Sequence, residues 1–207
     1  MKLKNSLTTT LIVVISGFFI VANYAPTITW GNLTLQDNLL LIRKAAFPED
    51  GFQVLHGVYT GEWWRVLTVN LTHANWLHLG FNMLVFFQLG NIVEHYYGKA
   101  RYSLILLVSA VTASFSCLLF VPANEASVGA SGMIFGLFGV MLVSGKRMGV
   151  DYRQVLGSLV LNLIITFTIP NIAWQAHIGG LIGGFVVGVI IDRLPRPNRG
   201  RFIQTWE

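Results

Sequence analysis

The sequence predicts an all-α, polytopic membrane protein with a bundle of six transmembrane helices. Hydrophobic residues make up 54% of the 207-residue chain and charged residues only 11%, which is far from the composition of a soluble domain. Six apolar runs approach the length that a hydrocarbon core of about 30 Å requires. We place them at residues 7–24, 76–96, 102–121, 129–144, 155–169 and 172–191, within a single membrane domain covering residues 1–207.

The first run has an alternative interpretation as a cleaved signal peptide. Lys2 and Lys4 precede it, and small residues follow near Ala22 and Ala25, as in a secretory signal. The apolar stretch is long for a signal peptide and no clean cleavage site ends it. We therefore expect a retained transmembrane span.

The basic residues predict the orientation of the six spans. Of the 14 Lys and Arg residues, only Arg43, Lys44 and Arg65 fall on one predicted side. Lys and Arg accumulate in cytoplasmic loops, so the side with the other eleven basic residues is predicted to be cytoplasmic. Both termini then lie in the cytoplasm, as in a bacterial inner membrane protein, and the long loop at residues 26–75 faces outward. Leu39–Ile42, Trp63 and Trp64 in this loop favour partial insertion at the membrane interface.

Several other classes of protein are disfavoured. The net charge of +5 and the pI near 9.6 could indicate a nucleic-acid partner, but the basic residues lie in small groups between apolar runs rather than on a basic surface. A single cysteine, Cys117, excludes an intramolecular disulfide. We expect membrane lipid around the protein, no nucleic-acid partner, no metal and no cofactor.

The few polar residues inside the spans are candidates for function, because burying polar groups in a membrane is costly. His78 and Asn82 are four residues apart and share one face of the second span. Ser131 heads the fourth span and His177 lies on the sixth. Each also has a structural interpretation: interhelical hydrogen bonding for His78, Asn82 and His177, and close packing for a serine among small residues.

Depth and spacing bring these candidates together. In the predicted orientation the second, fourth and sixth spans all run inward, and Asn82, Ser131 and His177 occur within about six residues of their outer ends, or ~9 Å. Glycines spaced by four on the fourth span (Gly132, Gly136) and on the sixth (Gly180, Gly184) would let these two helices approach closely. We expect the Ser131 hydroxyl and the His177 imidazole to approach one another at a water-accessible cavity open to the outside.

Several short motifs occur in order along the chain. They are Trp64-Arg65, the H-x4-H-x3-N arrangement of His73, His78 and Asn82, Glu94 with Gly98, Gly129-Ala130-Ser131-Gly132, and Ala176-His177-Ile178-Gly179-Gly180 followed by Gly184. Together they resemble the motifs of the rhomboid family of intramembrane serine proteases. The resemblance covers about residues 61–191. Any one motif is weak, but their shared order is specific.

The resemblance implies a role for each candidate. Ser131 would be the nucleophile, His177 the general base and then the acid, and His78, Asn82 and the Ser131 N–H the oxyanion hole. Gly129, Gly132, Gly180, Gly184, Arg65 and Glu94 would support the site. The outer halves of the second, fourth and sixth spans contain no Asp or Glu. We therefore expect a Ser–His dyad, with packing holding the imidazole. Phe135 occupies a position where the family often has Tyr, and it would stack on His177 or serve only as packing.

Two other functions remain to be weighed. A catalytically silent rhomboid-like protein would bind transmembrane helices without cutting them, but the presence of Ser131, His177, His78 and Asn82 together argues against it. A small transporter would need mid-membrane charges or broken helices in paired repeats, which the sequence lacks. The expected substrates are membrane proteins whose spans contain helix-destabilising residues near the outer face. The resemblance also suggests the fifth span as a lateral gate, while the substrate identities, regulation and oligomeric state are not predicted.

Overall fold

The computed structural model describes residues 6–24, 29–30, 33–34, 39–42, 57–122, 125–170 and 172–195. In these ranges the chain is an α-helical bundle. A two-stranded antiparallel hairpin, β1 (Thr29–Trp30) and β2 (Leu33–Thr34), follows the first helix. The helices are, in order, α1 (Leu7–Tyr24), α2 (Arg65–Thr68), α3 (Trp76–Phe120), α4 (Ser131–Met148), α5 (Tyr152–Thr168) and α6 (Trp174–Asp192).

Helix α3 contains two of the predicted spans, folded back on each other at Gly98. Gly98 has φ 75° and ψ 164°, a conformation that interrupts a helix and that glycine adopts without steric cost. Gly90 and Tyr102 lie on opposite sides of this break, yet a Cβ on Gly90 would lie 2.6 Å from the Tyr102 hydroxyl. The Ser114 hydroxyl donates to the Val66 carbonyl at 2.7 Å, so the end of α3 returns to the segment before its start.

Each of the six predicted runs overlaps a helix, although the bounds differ by a few residues. Three of them, α1, α3 and α6, are long and apolar enough to cross a membrane by length and composition. Helix α4 begins at Ser131, two residues later than predicted, and continues to Met148, where Gly149 with φ 80° ends it. Most of its residues are buried, so α4 is the central helix of the bundle and is enclosed by protein rather than by lipid.

The described part of the outer segment combines buried and exposed residues. Leu39–Ile42 is buried by protein, whereas Trp63 and Trp64 are exposed. Arg65 is fully buried: its Nε donates to Glu62 at 2.6 Å, and one terminal nitrogen donates to the Leu40 carbonyl at 2.8 Å. Arg65 therefore holds the outer segment together. The predicted basic positions Lys2, Lys4, Arg43, Lys44, Arg196, Arg199 and Arg201 lie outside the described residues.

Polar clusters join the helices at the other end of the bundle. Glu94 accepts hydrogen bonds from the backbone N–H groups of Leu7 and Thr8 at 2.7 and 2.8 Å, and thereby caps α1. A carboxylate at a helix N-terminus satisfies donors that have no intrahelical partner. The Tyr97 hydroxyl bonds to Ser144 at 2.7 Å and to Asp192 at 2.9 Å, which links α3, α4 and α6.

Candidate functional site

Helices α4 and α6 meet backbone to backbone through the predicted glycines. A Cβ on Gly180 would overlap with the Gly132 carbonyl oxygen, and one on Gly184 would overlap with the Gly136 carbonyl oxygen. The two glycine rows therefore face each other, as the sequence predicts, and each must lack a side chain for the helices to come this close.

The same contact extends to the neighbours of the candidate nucleophile and base. A Cβ on Gly132 would lie 3.6 Å from the Ala176 carbonyl oxygen. Gly132 follows Ser131 in the chain, and Ala176 precedes His177. Ser131 is the first residue of α4, where the backbone N–H groups have no intrahelical partner and the helix dipole is positive.

His78 and Asn82 lie against the turn that leads into α4. Gly129 in this turn has φ 117°, and a Cβ there would lie 2.8 Å from His78 Cε1 and 3.8 Å from Asn82 Nδ2. Both its conformation and its surroundings therefore require glycine. The structure therefore brings together residues from two motifs that are far apart in the sequence.

Hydrogen bonds of His78 and Asn82 are local. The Asn82 amide donates to the His78 carbonyl at 3.0 Å, and the Ala74 N–H donates to His78 Nδ1 at 3.5 Å. Within the described residues, neither side chain is hydrogen bonded to another transmembrane helix. A nitrogen that accepts carries no hydrogen, so the other ring nitrogen of a neutral His78, Nε2, is a donor.

The turn before α4 is held from several directions. The Ala130 N–H donates to His73 Nε2 at 3.4 Å, and the Gly129 N–H donates to the Val69 carbonyl at 3.1 Å. Ser127 and Leu41 exchange two backbone hydrogen bonds of 2.8 and 3.0 Å. These contacts fix the path of the chain into Ser131.

His73 lies in the outer segment just before α3 and is fully buried. Burial, and secondarily the nearby His78, lower the pKa of His73 from 6.5 to about 3. The imidazole is therefore neutral at physiological pH. A neutral ring is required if Nε2 is to accept the Ala130 N–H.

His177 is buried and is held on two sides. The Phe135 ring stacks on the imidazole, with centroids 4.2 Å apart and planes 9° apart. The Thr166 hydroxyl on α5 lies 2.7 Å from His177 Nδ1. The sequence analysis anticipated the stacking of Phe135 but missed Thr166, which adds a hydrogen bond to the packing around the imidazole.

Some of the predicted site residues are not hydrogen bonded to one another. No hydrogen bond connects the Ser131 hydroxyl to His177 within the described part of the chain. Arg65 and Glu94 bond to the outer segment and to α1 instead. Among the described residues, no group of three or more His, Cys, Asp or Glu is arranged to hold a metal ion.

The sequence of this chain matches a known protein family. Residues 60–193 match the family model described as a rhomboid domain. Rhomboid protease GluP of Bacillus subtilis is 38% identical over 150 residues, which cover 69% of this chain and 28% of that protein.

Two other relatives are similar over comparable lengths. Putative rhomboid protease YdcA of Bacillus subtilis is 35% identical over 139 residues, covering 65% of this chain and 70% of that protein. RHOMBOID-like protein 5 of Arabidopsis thaliana is 34% identical over 151 residues, covering 69% of this chain and 48% of that protein. The match to GluP thus spans little more than a quarter of that protein. The chain belongs to the rhomboid family, and it is an integral membrane protein with an all-α, polytopic fold.

Proposed function

We propose that this chain is an intramembrane serine endopeptidase that hydrolyses peptide bonds in or near transmembrane segments of other membrane proteins. The observation that supports it most strongly is the contact between α4 and α6. Gly132 and Ala176 lie side by side at the heads of these helices, and they are the chain neighbours of Ser131 and His177. Family membership supports proteolysis within membranes as the general activity.

In this mechanism Ser131 attacks and His177 moves the proton. As the Ser131 oxygen bonds to the scissile carbonyl carbon, the hydroxyl proton passes to His177 Nε2. The imidazolium then gives that proton to the leaving nitrogen, the C–N bond breaks and an acyl-enzyme ester forms. A water molecule then completes the cycle. His177 accepts a proton from this water as the water oxygen attacks the ester carbonyl carbon. The imidazolium returns that proton to the Ser131 oxygen as the ester bond breaks.

The groups around Gly129 are suited to stabilise the negative charge on the carbonyl oxygen. Asn82 donates only one of its two amide hydrogens to His78, and His78 Nε2 is available as a donor. The first N–H groups of α4, which have no partner within the helix, add positive potential. Such preorganised donors contribute most where water is excluded.

The proposal also includes the side of the membrane to which the site opens. We propose that α1 is retained, that both termini are cytoplasmic and that the site opens outward in a bacterial inner membrane. Exposed positions at opposite ends of the bundle test this: Ala126 before α4 and Gln154 at the start of α5. In a Cys117→Ala background, an impermeant thiol reagent should label Ala126→Cys in intact cells and Gln154→Cys only after lysis. The reverse pattern would overturn the topology.

Reporter cleavage tests the proposed activity. The purified chain and its Ser131→Ala variant are incubated in liposomes with a tagged single-span protein that has helix-destabilising residues near its outer end. We expect cleavage by the parent chain alone, with both proteins equally helical by circular dichroism. Binding of the reporter without cleavage would favour the silent, helix-binding alternative.

A further inference from the structure

Thr166 contacts the candidate base from a different helix. It lies near the end of α5 and is buried, with 3% of its surface exposed. Its Oγ1 is 2.7 Å from His177 Nδ1 and 2.7 Å from the Asn162 carbonyl oxygen. Only Val155, Leu159 and Thr166 of α5 are buried, so Thr166 is the one buried side chain in the second half of that helix.

Counting hydrogens assigns the direction of both bonds. A threonine hydroxyl has one hydrogen, and a carbonyl oxygen can only accept. The hydroxyl hydrogen therefore goes to the Asn162 carbonyl, and Thr166 Oγ1 must accept from His177 Nδ1. A neutral imidazole carries one N–H, so His177 Nε2 is left as a bare lone pair.

Phe135 and Thr166 restrict different motions of the ring. Stacking on Phe135 fixes the plane of the imidazole, but a flat apolar surface does not distinguish one ring nitrogen from the other. The hydrogen bond to Thr166 does. No carboxylate is hydrogen bonded to His177 among the described residues, so a neutral hydroxyl occupies the orienting position that an aspartate fills in Ser-His-Asp enzymes.

We propose that Thr166 is a positioning residue that holds His177 as the Nδ1–H tautomer, with Nε2 turned toward the hydroxyl of Ser131. This role presupposes the proposed function, in which His177 is the base. When Nε2 takes the Ser131 proton, the Nδ1–H to Thr166 Oγ1 bond is retained, and so the ring need not reorient between proton uptake and release.

Labelling of Ser131 by a fluorophosphonate tests this role without a known substrate. The second-order rate constant of labelling is measured for the full chain in detergent micelles. The Ser131→Ala variant gives the background rate. Thr166→Val removes the hydroxyl at nearly constant shape, and Thr166→Ser retains it. Thr168→Val is the matched control, because Thr168 makes the same 2.7 Å bond to a carbonyl of its own helix, that of Ile164, but is exposed.

We expect Thr166→Val to label about tenfold more slowly, the effect of one neutral hydrogen bond. Thr166→Ser and Thr168→Val should label close to the parent rate. With the reporter, Thr166→Val should lower kcat and leave KM unchanged. If Thr166→Val is too unstable to purify, Thr166→Ala gives the same comparison.

Two results would overturn different claims. Labelling of Thr166→Val or Thr166→Ala at the parent rate would refute the positioning role while leaving the protease proposal intact. Labelling of the parent chain that persists in Ser131→Ala would instead refute the proposed function. Equal rate losses in Thr166→Ser and Thr166→Val would assign Thr166 to packing and also refute positioning.

Discussion

Phe135 and His177 lie ring on ring, with centroids 4.2 Å apart and planes 9° apart. Both side chains are buried, and they come from the two helices that the glycine rows bring together. The aromatic ring, rather than a hydroxyl on it, is what contacts the imidazole. Aromatic pairs of this kind are worth roughly 0.5–1.5 kcal/mol beyond their burial.

Removing the ring should therefore slow turnover more than it weakens substrate binding. We expect Phe135→Leu to lower kcat by up to about tenfold, since roughly 1.4 kcal/mol corresponds to a factor of ten. Phe135→Tyr keeps the ring and should stay near the parent rate. Steady-state kinetics on the reporter distinguish these outcomes, and equal rates for Phe135→Leu and the parent chain would reduce Phe135 to a packing residue.

Two roles of Asn82, oxyanion stabilisation and packing of the bundle, predict different effects of Asn82→Ala on melting temperature and activity. Its hydrogen bond is made within α3, so Asn82→Ala should leave the melting temperature nearly unchanged. Loss of one oxyanion donor should still cost about 10²- to 10³-fold in kcat. A large fall in melting temperature with a matching fall in activity would show that Asn82 holds the bundle together instead.

Gly180 should tolerate no side chain. Its Cβ would overlap with backbone atoms of Gly132, which cannot move without separating α4 from α6. We expect Gly180→Ala to destabilise the protein by about 1–3 kcal/mol, as overpacking does. Gly157→Ala is the matched control, since a Cβ there meets nothing within 4 Å. Thermal unfolding in detergent compares the two, and equal melting temperatures would contradict the α4–α6 contact.

Protonation of His73 should destabilise the fold in acid. Its pKa is about 3 in the folded protein against 6.5 as the ordinary value, so between these values the unfolded chain binds the extra proton. The contribution of neutral His73 to stability should be fully present above pH 6.5 and should decrease as the pH falls toward 3. Melting temperatures of the parent chain and of His73→Gln, measured across this range, test the assignment. An equally steep acid loss in His73→Gln would exclude His73 as its source.

The fold was predictable because its signals are local and repeated. Long apolar runs and glycines spaced by four mark helices and close helix contacts wherever they occur, and both the helical class and the family were confirmed. The break at Gly98 lies between the predicted spans at residues 76–96 and 102–121. The roles of Ser131, His177, His78 and Asn82 remain predictions. The contact of His78 and Asn82 with Gly129 is seen only in the structure.

Thr166 could not be found in the same way. A threonine in an apolar helix usually bonds to a carbonyl of its own helix, as both Thr166 and Thr168 do. What separates them is the position of α6, which brings the Nδ1 atom of His177 to one hydroxyl and leaves the other exposed. That difference depends on how α5 docks, and neither residue type nor spacing encodes it.

The central claim is that Ser131 and His177 act as one unit, and a double-mutant comparison tests it most directly. Cleavage of the reporter is measured for Ser131→Ala, His177→Ala and the double variant, each checked for normal helicity. We predict that each single change abolishes detectable cleavage and that the double variant is no worse than either, because residues that act together in catalysis are strongly non-additive. Turnover near the parent rate in either single variant would contradict the dyad.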